Sequence, residues 1–383
     1  MKNKRKSSNN KKNKIIKKSK IEKQTDGTVI ETTDNYTYIG EFNDDLSKKH
    51  GKGKIIYKDG SQSIIGKWVN GTLEGLGQCI IDDELLLKGT YSNGELNGFV
   101  QEFEIELIED EDEEDDERIR IKDPMESDKE YYVQLIFSGM YKDGYRDGNG
   151  ILYFSDGGRI ETTWVESSMT GNGVYYYPDE RFMIRGIWKD GDLVRGKFEC
   201  TEKEYIENEC KSVYKEFQLK FDESTEKRIS LSPMIPDLYE QYYCYVSTST
   251  VENSGQGLFA KRDIPPGLII SFYNGTRITH KQTDSRDWKL NSNTISLDSE
   301  TVIDVPTKYN DISVYQSTLA HKSNHHPNNN AEYSHCFHPR FGYIKSIRSI
   351  KPIAKDSEIF VNYGYTDHQP EWYQKLQINH NDK

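Results

Sequence analysis

A glycine followed two residues later by an aromatic ring recurs through the first half of the chain: GEFNDD at Gly40, GKWVNG at Gly66, GTYSNG at Gly89, GMYKDG at Gly139 and GIWKDG at Gly186, with TTWVES at Thr162 in the same phase. The steps are 23 residues from Gly66 to Gly89 and from Gly139 to Thr162, and 24 from Thr162 to Gly186, short for a repeat of paired helices. Each unit runs through an alternating aromatic stretch, an Asn-Gly or Asp-Gly turn, and a second stretch such as GKGKIIYKDG, GNGILYFSDG or GNGVYYYPDE. That order reads as strand, turn, strand. A lone hairpin is not stable in water, so hairpin must stack on hairpin, with the aromatics as the buried face and the glycines relieving crowding.

The pattern resembles the MORN repeat, which implies an extended antiparallel sheet of β-hairpins over residues 36–198. Such a sheet serves as a scaffold or offers its exposed face to a protein or a lipid headgroup. The gap from Gly89 to Gly139 reads as two units plus an insertion near residues 104–130, which contains the wholly acidic run EDEDEEDDE at Glu109 to Glu117. That run is read as a solvated loop, with docking of a basic partner as the alternative.

With 383 residues and a net charge of −12, the chain has material for two or three domains and a core that needs no staples. Its cysteines, Cys79, Cys200, Cys210, Cys244 and Cys336, are scattered with no CxxC pair, which suits reduced thiols. No apolar stretch is long enough for a membrane helix, and the lysine-rich start MKNKRKSSNNKKNKIIKKSKIEK leads into no hydrophobic segment, so a soluble, intracellular protein is expected. Residues 1–35 are read as a disordered basic tail: a solvated extension, or an arm for nuclear import and the one place where DNA contact is expected.

The repeat ends near residue 198, and residues 199–240, closing on SPMIPD, read as a connector. STVENSGQGLFAKRDIPPGLIISFYNGTRIT then gives a glycine-rich turn, a short strand, a Pro-Pro-Gly corner and a strand through Phe272 and Tyr273. GQGLFA is followed by no Lys-Ser pair, which excludes a phosphate-binding loop. HKSNHHPNNNAEY, from His321 to Tyr333, offers His321 and His325 one helical turn apart but no third ligand nearby, so no metal is expected.

GQGLFA, SFYNG, DSRDWKLNSNT, HKSNHH and VNYGY, in this order, resemble the SET-domain protein lysine methyltransferases, nearest to the MORN-repeat SET enzymes that place one methyl group on histone H3, at lysine 4. The resemblance implies a mainly β protein in which residues 241–365 form a SET fold with short helices and a knotted-like C-terminal segment, and residues 366–383 cover the cofactor. It implies S-adenosylmethionine as that cofactor, held by Ser254, Gly255, Gln256, Gly257, Asn293, His321, Lys322, Asn324 and His325, with Trp372 over the adenine. It puts Tyr273, Tyr333, Tyr363 and Tyr365 around the target lysine as the catalytic set, Tyr363 nearest the transfer. Asp284, Trp288, Thr294, Ser296 and Lys345, with Tyr273, Tyr333 and Tyr363, are the implied substrate contacts; Asp284 is either a partner for a basic residue flanking the target or a solvated carboxylate. Gln256 and Leu376 stand where the nearest relatives carry glutamate, Asn330 in NNNAE takes the asparagine place of a Pro-Asn-Cys, and Ser292 replaces a glycine.

Methyl transfer from a sulfonium to an amine is an in-line displacement, so a protein must orient two molecules and present the lysine neutral. Free lysine titrates near 10.4, and burial beside a positive sulfonium lowers that value. Tyrosine rings pack on the methylene stem while their hydroxyls orient the amine. The expected partners are the histone H3 tail or other lysine-bearing proteins and chromatin, with no integral membrane association, in the nucleus and also the cytoplasm. The rival readings are a catalytically silent SET/MORN adaptor and a methyltransferase of non-histone or membrane-associated proteins.

Overall fold

The computed structural model describes residues 19–108, 119–123, 129–202, 217–365 and 373. The chain divides into two units, Met1–Tyr145 and Arg146–Lys383.

In the first unit β1 (Lys20–Lys23), β2 (Val29–Thr32), β3 (Tyr36–Phe42), β4 (Lys49–Tyr57), β5 (Gln62–Val69), β6 (Thr72–Ile81), β7 (Leu85–Ser92) and β8 (Glu95–Leu107) pair antiparallel, each with the next. β9 (Ile119–Lys122) lies off this path and pairs with β10 (Glu130–Lys142), which itself pairs with β8. The hairpin turns follow from the dipeptides read in the sequence. Asn70-Gly71, Asn93-Gly94 and Asp143-Gly144 all have both residues at positive φ, the two-residue turn whose twist matches that of the strands.

The repeat glycines form a row across the sheet. Gly40 faces Gly53, Gly53 faces Gly66, Gly66 faces Gly77 and Gly77 faces Gly89. A Cβ on Gly53 would stand 2.2 Å from the Tyr38 hydroxyl, so a side chain there is excluded by the ring that the glycine accommodates. Tyr38 packs edge-on against Trp68 at 5.7 Å, and the Trp68 Nε1–H donates to the Gly53 carbonyl at 3.2 Å, so the aromatic of one hairpin is satisfied by the glycine of its neighbour.

Two expectations change here. β1 and β2 lie within the residues read as a disordered tail; Asp26-Gly27 makes a turn between them, and Val29 is buried. β1 is exposed along its length and β2 buries only Val29, so neither carries the two-residue alternation that marks a strand in sequence. The Gly89 to Gly139 gap also holds one unit rather than two, since β8 pairs directly with β10. The acidic run itself lies outside the described residues.

The second unit continues the hairpin pattern with β11 (Tyr145–Tyr153), β12 (Arg159–Val165), β13 (Ser168–Tyr176), β14 (Phe182–Lys189) and β15 (Asp192–Cys200). Thr162 takes a glycine place at a bulge in β12, and its hydroxyl donates to the Thr170 carbonyl at 3.3 Å. The turn that follows has no glycine: Glu166 and Ser167 sit at φ 47° and 66°. Asparagine tolerates that region better than glutamate. Glu166→Asn is therefore expected to raise the unfolding free energy by about 0.5–1 kcal/mol and the melting temperature by roughly 2 °C. A thermal scan showing a fall would refute this account of the turn.

Residues 217–365 form the remainder of the unit around small sheets. The helix α1 (Leu238–Tyr243) leads into β16 (Cys244–Thr248), which pairs with β17 (Gln256–Ala260). β18 (Ile269–Tyr273) is followed by β19 (Thr276–Thr279), α2 (His280–Ser285), β20 (Thr294–Ser296) and β21 (Thr301–Asp304). The last strands are β22 (Asn324–His325), β23 (Ala331–His338), β24 (Gly342–Ser349) and β25 (Phe360–Val361). β18, β24 and β23 make one sheet, and β19, β21 and β20 another. β22 and β25 pair parallel, with Phe360 opposite Asn324 and Val361 opposite His325. Asn330 staples this pair, accepting from Phe360 N at 2.9 Å and donating to the Glu358 carbonyl at 2.9 Å. Cys79, Cys200, Cys244 and Cys336 are free thiols; Cys210 lies outside the described residues.

Candidate active site

Four tyrosines converge beside β22. Tyr273 ends β18 and Tyr333 lies near the start of β23; the two pack edge-on at 6.2 Å, because both strands flank β24. Tyr363 and Tyr365 follow β25 and pack edge-on at 6.0 Å. Burial is the main cause that lifts all four phenols above their ordinary value, and each also feels a neighbouring tyrosine of the cluster or Tyr373. They therefore act as neutral hydroxyls. Tyr363 donates to the Ser323 carbonyl at 3.0 Å, and its backbone N–H donates to His325 Nδ1 at 3.2 Å, tying the tyrosines to the Asn-His strand.

The Asn-His strand itself is a polar bed. Asn324 Nδ2 donates to the Gln256 carbonyl and to Ser249 Oγ, both at 3.0 Å, and to Glu358 Oε1 at 3.1 Å. Lys322 Nζ donates to Gln256 Oε1 at 2.9 Å and to Asn310 Oδ1 at 2.8 Å, and Asn293 Nδ2 donates to the Val305 carbonyl at 3.3 Å with Asn310 beyond it. Gln256, Asn293, Lys322 and Asn324, expected from sequence, are thus joined by one network. Gly255 adopts φ 69°, which lets the Ser254–Gly257 loop fold over. A Cβ on Gly257 would come within 2.2 Å of Glu358 Oε1, so the loop can close only on glycine.

Both histidines are held neutral. Burial takes His325 down to about 4 and His321 down to about 3. His321 is buried near Tyr273 at 6.2 Å and Tyr315 at 5.7 Å, and neither ring nitrogen has a hydrogen-bond partner among the described residues. A buried imidazole with two open nitrogens and a loop with no room for a side chain at Gly257 fit a polar small molecule bound through backbone groups.

Substrate positions divide into two groups. Lys345 on β24 pairs opposite Tyr273, and Trp288, which is exposed, comes within 6.2 Å of Tyr365. Asp284 is exposed on α2, while Thr294 Oγ1 donates to the Asn291 carbonyl and Ser296 Oγ to that of Asp298, bonds within their own segments. Trp372 and Leu376 lie outside the described residues.

Sequence reasoning missed three partners. Tyr373, beside Trp372, stacks on His325 at 4.3 Å and meets Tyr365 at 5.2 Å; the aromatic pair in EWYQ was its only signal. Glu358 underlies the Asn324 network, and Glu240 touches β18 from α1. No local pattern marks either carboxylate.

Known protein families match segments in both halves of the chain. The SET domain family model matches residues 255–364, and the MORN repeat model matches residues 38–62, 65–83, 137–159 and 163–180. Histone-lysine N-methyltransferase SETD7 of Halocynthia roretzi is 34% identical over 256 residues, covering 62% of this chain and 66% of the relative, just under two thirds of its length. Among solved structures, ctPRC2 in an autoinhibited conformation bound to S-adenosylmethionine aligns over 37% of this chain and 17% of that one, at 23% identity and a TM-score of 0.27. A humanized mutant of the Chaetomium thermophilum Polycomb Repressive Complex 2 bound to the inhibitor GSK343 aligns over 35% and 16%, at 25% identity and a TM-score of 0.26. At such TM-scores these structural likenesses carry no weight for function.

Proposed function

We propose that this chain, which matches the SET domain over residues 255–364 and the MORN repeat over four segments, is a protein lysine N-methyltransferase that uses S-adenosylmethionine. The observation that carries the reading is the gathering of Tyr273, Tyr333, Tyr363 and Tyr365 beside the Asn324–His325 strand, which supports a lysine channel next to a cofactor bed.

The cofactor supplies an electrophilic methyl group on a positively charged sulfur. Gln256, Lys322, Asn324 and His325 are the groups that would hold it, together with the Gly255 turn. The chain's own work is positioning. Buried neutral tyrosines disfavour the ammonium form of an entering lysine, and their hydroxyls direct the amine lone pair. Lys345, whose own amine is pushed down by burial, stands opposite Tyr273 on β24, which is paired on both sides, so an extended peptide would add at an outer edge of that sheet.

The substrate is a lysine-bearing protein, and within that class we favour lysine 4 of histone H3 in chromatin, with monomethylation as the outcome. The likeness to a histone-lysine N-methyltransferase supports a histone substrate, and Tyr333, packed 6.2 Å from Tyr273, is the side chain that would limit room for a second methyl group. The basic N-terminal residues support a nuclear location, which deletion of residues 1–23 would test by loss of nuclear entry.

The experiment is methyl transfer from labelled S-adenosylmethionine to purified core histones, with products read by mass spectrometry. Monomethyl-lysine at position 4 of histone H3 supports the reading; transfer only to other proteins overturns the histone assignment and leaves the enzyme class. Tyr333→Phe is expected to raise the dimethyl to monomethyl ratio by about tenfold, the effect of relieving roughly 1.4 kcal/mol of crowding. An unchanged ratio would remove Tyr333 as the product gate.

A further inference from the structure

We infer that Glu240 is a positioning residue for methyl transfer: one of its carboxyl oxygens pins the strand that carries Tyr273 to the turn that carries His321 and Lys322. The inference rests on the methyltransferase reading above and adds to it a part distant in sequence from every motif used there.

Glu240 is fully buried in α1. Its Oε1 accepts from Ser271 Oγ and from Phe272 N at 2.9 Å, both on β18 immediately before Tyr273. The same oxygen accepts from Leu319 N at 2.9 Å, where the 3-10 turn Ala320–Lys322 begins. Three donors from two separate segments therefore meet on a single atom. Neighbouring residues reinforce the clamp: Tyr239 donates its hydroxyl to the Ile269 carbonyl, and Cys244 Sγ donates to that of Ile270 at 3.3 Å. Asp237 holds the helix start, accepting from Glu240 N at 3.1 Å, and is itself fixed by the Tyr177 hydroxyl at 2.6 Å and His338 Nε2 at 2.9 Å. The acceptor oxygen is thus placed by a buried frame that includes the last hairpins of the sheet.

The second oxygen, Oε2, has no hydrogen-bond partner among the described residues. A bare ionised oxygen in a dry site is costly, and burial lifts the acid to about 8. The charged and titratable groups around it are Asp237, which raises it further, and Cys244, Tyr315 and Arg340, which share its field. At neutral pH Glu240 works chiefly as the neutral acid. Its folded value exceeds its unfolded one, so the native state holds the proton longer, and stability falls as pH rises from about 4.5 to about 8.

Two variants test this on the full chain. Glu240→Leu keeps the bulk and removes the acceptor; Glu240→Gln keeps the acceptor oxygen and removes the titration. With S-adenosylmethionine and the histone H3 tail as probes, Glu240→Leu is expected to lower kcat by about thirtyfold while changing KM for the cofactor by less than about threefold, and Glu240→Gln to restore kcat to within about threefold of wild type at pH 7. The ratio of wild-type to Glu240→Gln kcat cancels titration of the acceptor lysine and should change as pH passes through about 8. The fall in melting temperature between pH 5 and 8 should be smaller in Glu240→Gln than in wild type. If Glu240→Leu does not fold, the pH ratio and the melting profile of Glu240→Gln decide alone. Wild-type transfer with unchanged kcat in folded Glu240→Leu, or a Glu240→Gln protein with the wild-type pH and melting profiles, overturns this inference and spares the enzyme reading. A wild type that transfers no methyl group to histones or to any other protein overturns both.

Discussion

Tyr363→Phe is expected to lower kcat for methyl transfer about a hundredfold, while the affinity for S-adenosylmethionine stays within about threefold of wild type. The hydroxyl donates to the Ser323 carbonyl at 3.0 Å, which fixes its direction and leaves its lone pairs to receive a hydrogen from a lysine amine or a bridging water. The ring keeps its neighbours in the variant, with Tyr365 at 6.0 Å and the His325 ring at 5.6 Å, so packing survives and only orientation is lost. One neutral hydrogen bond is worth about 1 kcal/mol, so the fold should tolerate the change. Steady-state kinetics with a cofactor titration separate the two effects. A kcat within about threefold of wild type would show that the hydroxyl does not orient the nucleophile.

Glu358→Ala should be the most damaging change to the cofactor bed. The buried carboxylate accepts from Ser249 Oγ at 2.7 Å, Thr250 N at 2.6 Å, Thr250 Oγ1, and Asn324 Nδ2 at 3.1 Å. Removing it deletes all four bonds, to an exposed Thr250 and to half-buried Ser249 and Asn324, at a cost of about 2 kcal/mol in stability, and releases both the Ser249–Thr250 segment and the Asn324 amide. Cofactor affinity is expected to fall at least about tenfold. Chemical denaturation and calorimetric titration measure the two losses independently. Normal cofactor binding in the folded variant would mean that Asn324 is positioned by its other two partners, Ser249 and Gln256.

The two carboxylates illustrate where sequence reading stops. Tyr273, Tyr333, Tyr363 and the Asn-His pair sit in short motifs whose order along the chain is itself informative, and the structure brings them together. Glu358 and Glu240 carry no motif. Glu358 reaches Asn324 across 34 positions and Thr250 across 108, and Glu240 reaches Leu319 across 79. Both are acidic residues that sequence alone assigns to the surface, since charged groups are seldom buried without a partner, and apart from the Asn324 amide the partners here are backbone amides and hydroxyls with no sequence signature. The N-terminal strands were hidden for the opposite reason: Lys20 to Lys23 is exposed throughout, and a lysine-rich segment reads as a solvated tail.

By itself the sequence determined the hairpins, because strand alternation, two-residue turns and the glycine-aromatic spacing act over distances of a few residues and recur with each unit. It also placed Tyr273, Tyr333, Tyr363 and the Asn324–His325 pair in short motifs that the fold gathers together. Only the tertiary structure decided that one asparagine amide would meet Gln256, Ser249 and Glu358 at once, and that α1 would clamp β18 to the turn before β22. Those contacts join segments far apart along the chain, and each exists because a polar group carried into the interior must find a partner wherever the fold provides one.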